Sequence, residues 1–127
     1  MVEVLWEEEG AIRLFRGIVT SVELDQSAKL IQNDPRFPAL KYVIHDFTLC
    51  DSIDLDNSTR DKIVARAAVA TMSMKHFASA FVGTIPDLAN LVRYFKSVQV
   101  YDGEFDLFAS MPEARAFIGR INNATLH

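Results

Sequence analysis

Along this chain a Ser or Thr repeatedly stands three residues ahead of an acid, at the head of an apolar helical repeat. The pairs are Thr20 with Glu23, Ser58 with Asp61, Thr84 with Asp87 and Ser110 with Glu113. Such a pair closes a helix's first turn, because the hydroxyl accepts a free backbone N–H and the acid reaches back to the start. Pro86 and Pro112 fall in the first turns of the last two, where a missing N–H costs nothing. Short apolar or alternating runs stand between these starts. Strand and helix therefore alternate, and the pattern calls for an α/β sheet with crossover helices.

Met1 to Trp6 and the alternating run Ala11 to Arg16 flank Glu8-Glu9-Gly10, which predicts an N-terminal β-hairpin. In its second strand Ile12 and Leu14 form one set, Arg13 and Phe15 the other. Leu24, Ala28 and Ile31 share a helical face, and Asn33-Asp34-Pro35 ends that helix. Lys41 to Asp46 is a short apolar strand around Tyr42-Val43-Ile44, which places it centrally between parallel neighbours. Phe47 to Asp56 reads as an acid-rich loop. Asn57-Ser58-Thr59 then opens a long Ala-rich helix to about His76, with Lys62, Arg66 and Ser73 as its polar stripe. Phe77 to Val82 predicts a strand ended by Gly83. The helix Ile85 to Lys96 buries Leu88, Leu91, Val92 and Phe95. Ser97 to Tyr101 predicts the last strand, with Asp102-Gly103 as a turn. Ala114, Phe117 and Ile118 form the buried side of the final helix, and the tail from Asn122 to His127 frays. The order is ββαβαβαβα, an α/β fold with a five-stranded mixed sheet, an N-terminal hairpin and crossover helices.

A chain of 127 residues fits a single domain, here 1–127, with one core. Its net charge of −4 argues against a nucleic-acid partner, which needs a basic surface. Cys50 is the only cysteine, so neither an intrachain disulfide nor a cysteine-built zinc site is available. Glu3, Glu7, Glu8 and Glu9 rule out a secretory signal at the start, and no apolar run approaches the roughly 20 residues of a membrane span. The expected compartment is the cytoplasm.

In the second half, Phe81-Val82-Gly83 leads into the amphipathic helix to Phe95 and the run Val98-Gln99-Val100-Tyr101. Ser110-Met111-Pro112-Glu113-Ala114-Arg115-Ala116-Phe117-Ile118 follows. This succession resembles the closing segment of the SpoIIAA-like branch of the STAS superfamily, the anti-sigma-factor antagonist fold. The resemblance implies a domain that binds proteins or small ligands and does no chemistry. The fold is also similar to CRAL-TRIO lipid-carrying domains, which makes an apolar ligand, a lipid or a membrane surface an expected partner. In antagonists a phosphorylated Ser or Thr stands at the start of the helix after the strand, in an Asp-Ser-Ser or Asp-Ser-Thr motif. Here Asp54-Leu55-Asp56 lies near the matching place, with Asp51-Ser52 and Ser58-Thr59 offset from it. Ser58, Thr59 and Ser52 are the candidate phosphoacceptors that the resemblance leaves. Capping alone also explains Ser58, and loop solvation explains Asp54 and Asp56.

Other chemistries find less support. Asp54, Asp56 and Ser58 mimic the first ligands of a calcium loop, but Thr59 stands at its obligatory Gly and Ala65 at its bidentate Glu. No metal and no cofactor is expected. His45, Asp46 and Cys50 sketch a nucleophile with a base; a hydrogen-bonded sheet histidine and a small buried thiol explain them more simply. Gly-x-Ser-x-Gly, Walker and Gly-x-Gly-x-x-Gly motifs are missing, so no enzyme is expected. On the helix Ile85 to Lys96, Ile85 and Tyr94 fall off the apolar face while Arg93 and Lys96 flank its end, an arrangement suited to a lipid surface. Met72 and Met74 suit an adaptable apolar cavity. The expected ligand set is Leu55, Met74, Phe77, Phe81, Ile85, Leu88, Leu91 and Phe95, in a cavity between this helix and the long one. The expectation is a non-enzymatic cytoplasmic domain binding an apolar small ligand or lipid at a membrane surface. A protein-interaction regulator of the antagonist type is the alternative, and a dimer is compatible with either.

Overall fold

The computed structural model describes residues 1–72, 74, 76–99 and 103–123. β1 (Val2–Trp6) and β2 (Gly10–Thr20) form the hairpin; α1 (Ser21–Gln32) and a short 3-10 turn (Phe37–Ala39) lead to β3 (Tyr42–Asp54). α2 (Asn57–Thr71), β4 (Ala78–Val82), α3 (Pro86–Val98), β5 (Glu104–Phe108) and α4 (Met111–Asn122) complete the order. Among the described residues the sheet runs β1-β2-β3-β4-β5, with β1 antiparallel to β2 and every other pair parallel. The mixed sheet, the hairpin and the ββαβαβαβα order are as the sequence predicts, and β3 is the central strand.

Each crossover steps to the next strand in the same direction. Right-handed connections then place α1, α2 and α3 on one face. Their side of the sheet carries a cluster built on Phe15, Phe47, Phe81, Leu88 and Phe95, in which the Phe15 and Phe47 rings stack at 4.1 Å. α4 covers the other face, packing Ala114, Phe117 and Ile118 on Ile44, Ala80 and Val82. A further cluster at the start of β3 and β4 gathers Ala11, Ile31, Phe37, Val43 and Phe77. At Gly10 the Tyr42 ring lies where a Cβ would stand, so this turn position must be Gly.

Of the four expected capping boxes, the one at Thr20 forms. Thr20 accepts from Glu23 N–H at 3.3 Å while Glu23 Oε1 accepts from Thr20 N–H at 3.1 Å, a complete capping box. Several expectations are corrected. Phe47 to Asp54 is no loop: β3 continues through it, because the long β2 pairs along it as far as Thr20 opposite Asp54. α2 ends at Thr71, short of His76. Thr84 does not cap α3, whose N-cap is Ile85 without a side-chain bond. The last strand is Glu104–Phe108, since α3 continues through Ser97 and Val98 to a left-handed Gln99. Val100, Tyr101 and Asp102 of the expected strand and turn lie outside the described residues, as do Ser73 and the tail from Ala124. Ser110 Oγ donates to Glu113 Oε2 at 2.9 Å, a side-chain pair in place of the expected box.

Candidate functional site

β4 ends opposite Asp46, so β3 from Phe47 to Asp54 has β2 on one side and, among the described residues, no strand on the other. That bare end leads into α2. Asp56 is the N-cap, not the Asn57-Ser58-Thr59 run: its Oδ1 accepts from Thr59 N–H at 2.7 Å and its Oδ2 from Thr59 Oγ–H at 3.0 Å. These bonds, the Thr59 amide first, hold the Asp56 carboxyl below its usual range. Ser21 Oγ ties the turn to α1, donating to Asp54 C=O at 3.3 Å and accepting from Asp56 N–H at 2.9 Å.

α3 faces this turn. Its Asp87, Asn90, Leu91 and Tyr94 follow the i, i+3, i+4, i+7 spacing of one helical stripe. Between that stripe, the end of β3 and the first turn of α2 lies an open groove of about 240 Å³. Ile53, Leu55 and Leu91 supply its apolar lining; Asn57, Arg60, Asp87, Asn90 and Tyr94 supply the polar lining. Asp87 Oδ2 accepts from Ile53 N–H at 2.8 Å, satisfying a donor that no strand takes. The Arg60 guanidinium lies over the Tyr94 ring at 3.7 Å, and Tyr94 O–H donates to Asp61 Oδ1 at 3.0 Å. Arg60 Nε is buried and has no hydrogen-bond partner among the described residues. Beneath the groove a small cavity of about 20 Å³, lined by Leu55, Ile63, Phe81, Leu91 and Phe95 among others, has room for about one water.

The centre of the same sheet face is polar. Arg13 donates to Leu24 C=O at 2.8 Å, to Ser27 Oγ at 2.7 Å and to His45 Nδ1 at 3.1 Å. A guanidinium only donates, so Nδ1 carries no proton and Nε2–H donates to Ser79 Oγ at 2.8 Å. His45 is fully buried and stacks on Phe81 at 4.4 Å. Burial, then the Arg13 charge, hold its pKa well below 6.5. A cavity of about 40 Å³ adjoins this network.

The sequence-derived residues divide among these places. Leu55, Phe81, Ile85, Leu88, Leu91 and Phe95 meet in the cluster under α2 and α3. Met74 and Phe77 lie apart from them, in the cluster with Phe37 and Val43. Of the surface set, Arg93 donates to Asn90, Tyr94 is tied to Asp61, Lys96 pairs with Asp106 at 2.7 Å and Ile85 is half-buried. Ser58 is exposed at the second position of α2, Thr59 is bonded to Asp56, and Ser52 is half-buried in β3. His45, Asp46 and Cys50 do not converge. Asp46 accepts from Thr48, and Cys50 Sγ–H points to Ser52 C=O with burial pushing the thiol up. Among the described residues no group of three or more His, Cys, Asp or Glu could hold a metal, and no helix is long and apolar enough to cross a membrane. Sequence reading missed Arg60, Asn57 and Asn90; the Asp87–Asn90–Tyr94 stripe was a signal for the last of these.

The sequence matches no protein-family model and no curated protein. Solved structures do resemble it. The anti-sigma factor antagonist SpoIIAA in its unphosphorylated form has a TM-score of 0.59 at 13% identity, over 94% of this chain and 98% of that one. An uncharacterised DUF3478-family protein of Shewanella loihica PV-4, with a SpoIIAA-like fold, has a TM-score of 0.57 at 15% identity, over 93% of this chain and 92% of that one. Spanning nearly the whole of each chain, these likenesses establish that this protein has a SpoIIAA-like α/β fold.

Proposed function

We propose that this chain is a non-enzymatic interaction regulator that takes a segment of a partner protein in the groove between α2 and α3. The observation that carries the reading is the composition of the groove. Apolar Ile53, Leu55 and Leu91 stand beside the Arg60 guanidinium and the side-chain amides of Asn57 and Asn90. A peptide supplies both halves of that chemistry, side chains for the apolar lining and carbonyls for the donors. The small pockets under the helices argue the same way, since about 20 and 40 Å³ fall far below the ~300 Å³ at which small-molecule pockets begin. The likeness to SpoIIAA, an anti-sigma factor antagonist by name, is consistent with a protein partner. Ser58 is the best exposed of the candidate phosphoacceptors and stands beside the groove, where a helix N-terminus favours negative charge. A photo-crosslinking residue at Asn90, with Ala116 on α4 as control, tests the site in cells. One discrete protein adduct at Asn90 alone supports the reading. Equal labelling at both positions, or none, sinks it.

A second reading, an apolar small ligand or lipid bound at a membrane surface in the cytoplasm, rests on the seating of α2. This helix buries only Ala67 and Thr71 while Val69 and Met72 stay 69% and 63% exposed. It lies over the apolar seam of Leu55, Phe81, Leu91 and Phe95, which its displacement would open. Native mass spectrometry with lipid extraction and liposome co-sedimentation separate the readings. Retained lipid favours the second and counts against the first.

A further inference from the structure

A separate surface, independent of the α2–α3 reading, lies at the sheet's antiparallel edge. Met1 and Arg16 exchange both backbone bonds, at 3.0 and 2.8 Å. Such pairs alternate along an antiparallel ladder, so Glu3 and Leu5 also bond inward to β2. Val2, Val4 and Trp6 therefore turn their N–H and C=O groups outward. Among the described residues no strand takes them. Natural edges are guarded by charged side chains, Pro or a bulge; β1 has neither Pro nor bulge, and Glu3 is the one charge in Val-Glu-Val-Leu-Trp, which runs in unbroken register.

Beside this edge runs a groove of about 270 Å³ between β1 and α1. Val2 and Val4 line it from the strand; Gln26 and Leu30 line it from the helix. Leu30 and Val22, on the same helical stripe as Gln26, are 58% and 60% exposed without a partner to cover them. The strand's own segment is acidic, and the Arg36 guanidinium that covers the Trp6 ring at 3.6 Å is itself paired with Asp34. The chain's first ten residues hold Glu3, Glu7, Glu8 and Glu9 and neither Lys nor Arg. Glu7 and Glu9 are paired with Arg115 and Lys41, which leaves exposed Glu3 and Glu8 facing solvent. A second copy of this chain would set the same acids against these. A basic segment complements them.

We propose that β1 is a strand-addition site, where an extended basic segment of a partner protein pairs with Val2, Val4 and Trp6. Side chains on an added strand alternate between faces. Apolar residues at every second position fall into the β1–α1 groove beside Val4 and Leu30. Lys or Arg at the positions between them come out on the face of Glu3.

The chain's single Trp is on this strand, so Trp6 fluorescence reads the edge directly. The probe is a blocked heptapeptide of alternating Val and Lys. The expected result is a saturable fluorescence change with slowed amide exchange at Val2, Val4 and Trp6, weakened by salt. Two versions, N-methylated at every Val or at every Lys, keep the side chains and each lose the donors of one edge; the version blocked on the edge facing β1 is expected to bind about tenfold or more weakly. Val4→Pro, which removes one outward N–H, is expected to weaken binding likewise. Undiminished binding of both N-methylated peptides overturns the proposal, as does no response to any of the three peptides. Peptide-free protection of the same amides at the mass of two chains also overturns it, since a second copy would then own the edge.

Discussion

His45 makes the stability of this fold depend on pH in a way that can be calculated. Its ring is neutral in the folded protein, accepting from Arg13 at Nδ1 and donating to Ser79 from Nε2. A proton on Nδ1 would set N–H against N–H at 3.1 Å and place a second positive charge beside a buried guanidinium. Unfolded, the ring takes up its proton around the ordinary 6.5; folded, it resists until well below that value. A base with a depressed folded pKa contributes stability above its unfolded pKa, which is lost as pH falls through it. The loss grows by about 1.4 kcal/mol for each pH unit below 6.5 while the folded ring stays neutral. Between about pH 7.5 and about pH 5.5 it amounts to about 1.4 kcal/mol, a sizeable part of the 5–15 kcal/mol that holds a typical domain. Urea unfolding at both values gives the difference for the wild type. His45→Gln keeps an acceptor for Arg13 and a donor for Ser79 but does not titrate, so carboxylate effects common to both proteins cancel. The expected outcome is a smaller pH-dependent loss in the variant, by about that 1.4 kcal/mol. Equal losses would show that His45 takes up a proton as readily folded as unfolded, and the argument from burial would fail.

Gly83 sits at φ 155°, and a Cβ there would stand 2.8 Å from Leu88 Cδ2 and 3.2 Å from Phe47 Cβ; Gly83→Ala is expected to cost ~1–3 kcal/mol by urea midpoint. Thr20→Ala removes the acceptor for Glu23 N–H and is expected to cost about 1 kcal/mol, with Thr20→Ser close to neutral in the same assay. Tyr94→Phe breaks the O–H bond to Asp61 while keeping the ring under Arg60, so faster hydrogen exchange in α2, with α4 unchanged, is the expected result.

Where the sequence was legible, the deciding interaction was short in range. Thr20 and Glu23 are three residues apart, and the faces of α3 and α4 follow a single helical period. The end of β3 was misread for the opposite reason. Asp46, Asp51 and Asp54 look like a loop, yet Phe47 and Cys50, between the first two, point into the core, and the long β2 holds the segment extended. The final strand failed through competition: Val98 has strand preference, but the periodicity of Phe95 carries the helix on to it. Phe105 and Leu107, alternating with Asp106 and Phe108, are what pair with β4. For the site, apolar Leu91 was legible from its helical period. Arg60 over Tyr94 was not, because that contact exists only once two helices from distant parts of the chain face each other.

The seating of α2 follows from the topology. Successive crossovers advance one strand at a time, about 4.8 Å, whereas packed helices need about 8–10 Å between axes. Three helices on one face cannot each lie above their own pair of strands. α1 is displaced outward over the hairpin, which is why it borders the edge strand and forms the groove with Val2 and Val4. The middle helix has no room to spread and is lifted. It buries Ala67 and Thr71, where α1 buries Leu24, Ser27, Ala28 and Ile31 and α3 buries Leu88, Leu91, Val92 and Phe95. Besides Ala67 in the core and Ile63 and Val64 packed against it, polar clamps hold its margins, Arg66 to Asp25 at 2.7 Å on the α1 side and the Arg60–Tyr94–Asp61 group on the α3 side. Small Ala side chains let it approach as far as its neighbours permit. A groove on one flank and a seam beneath are therefore what a one-step, one-handed winding leaves at its middle helix, so both readings of function meet at the least buried element of the sheet's crowded face.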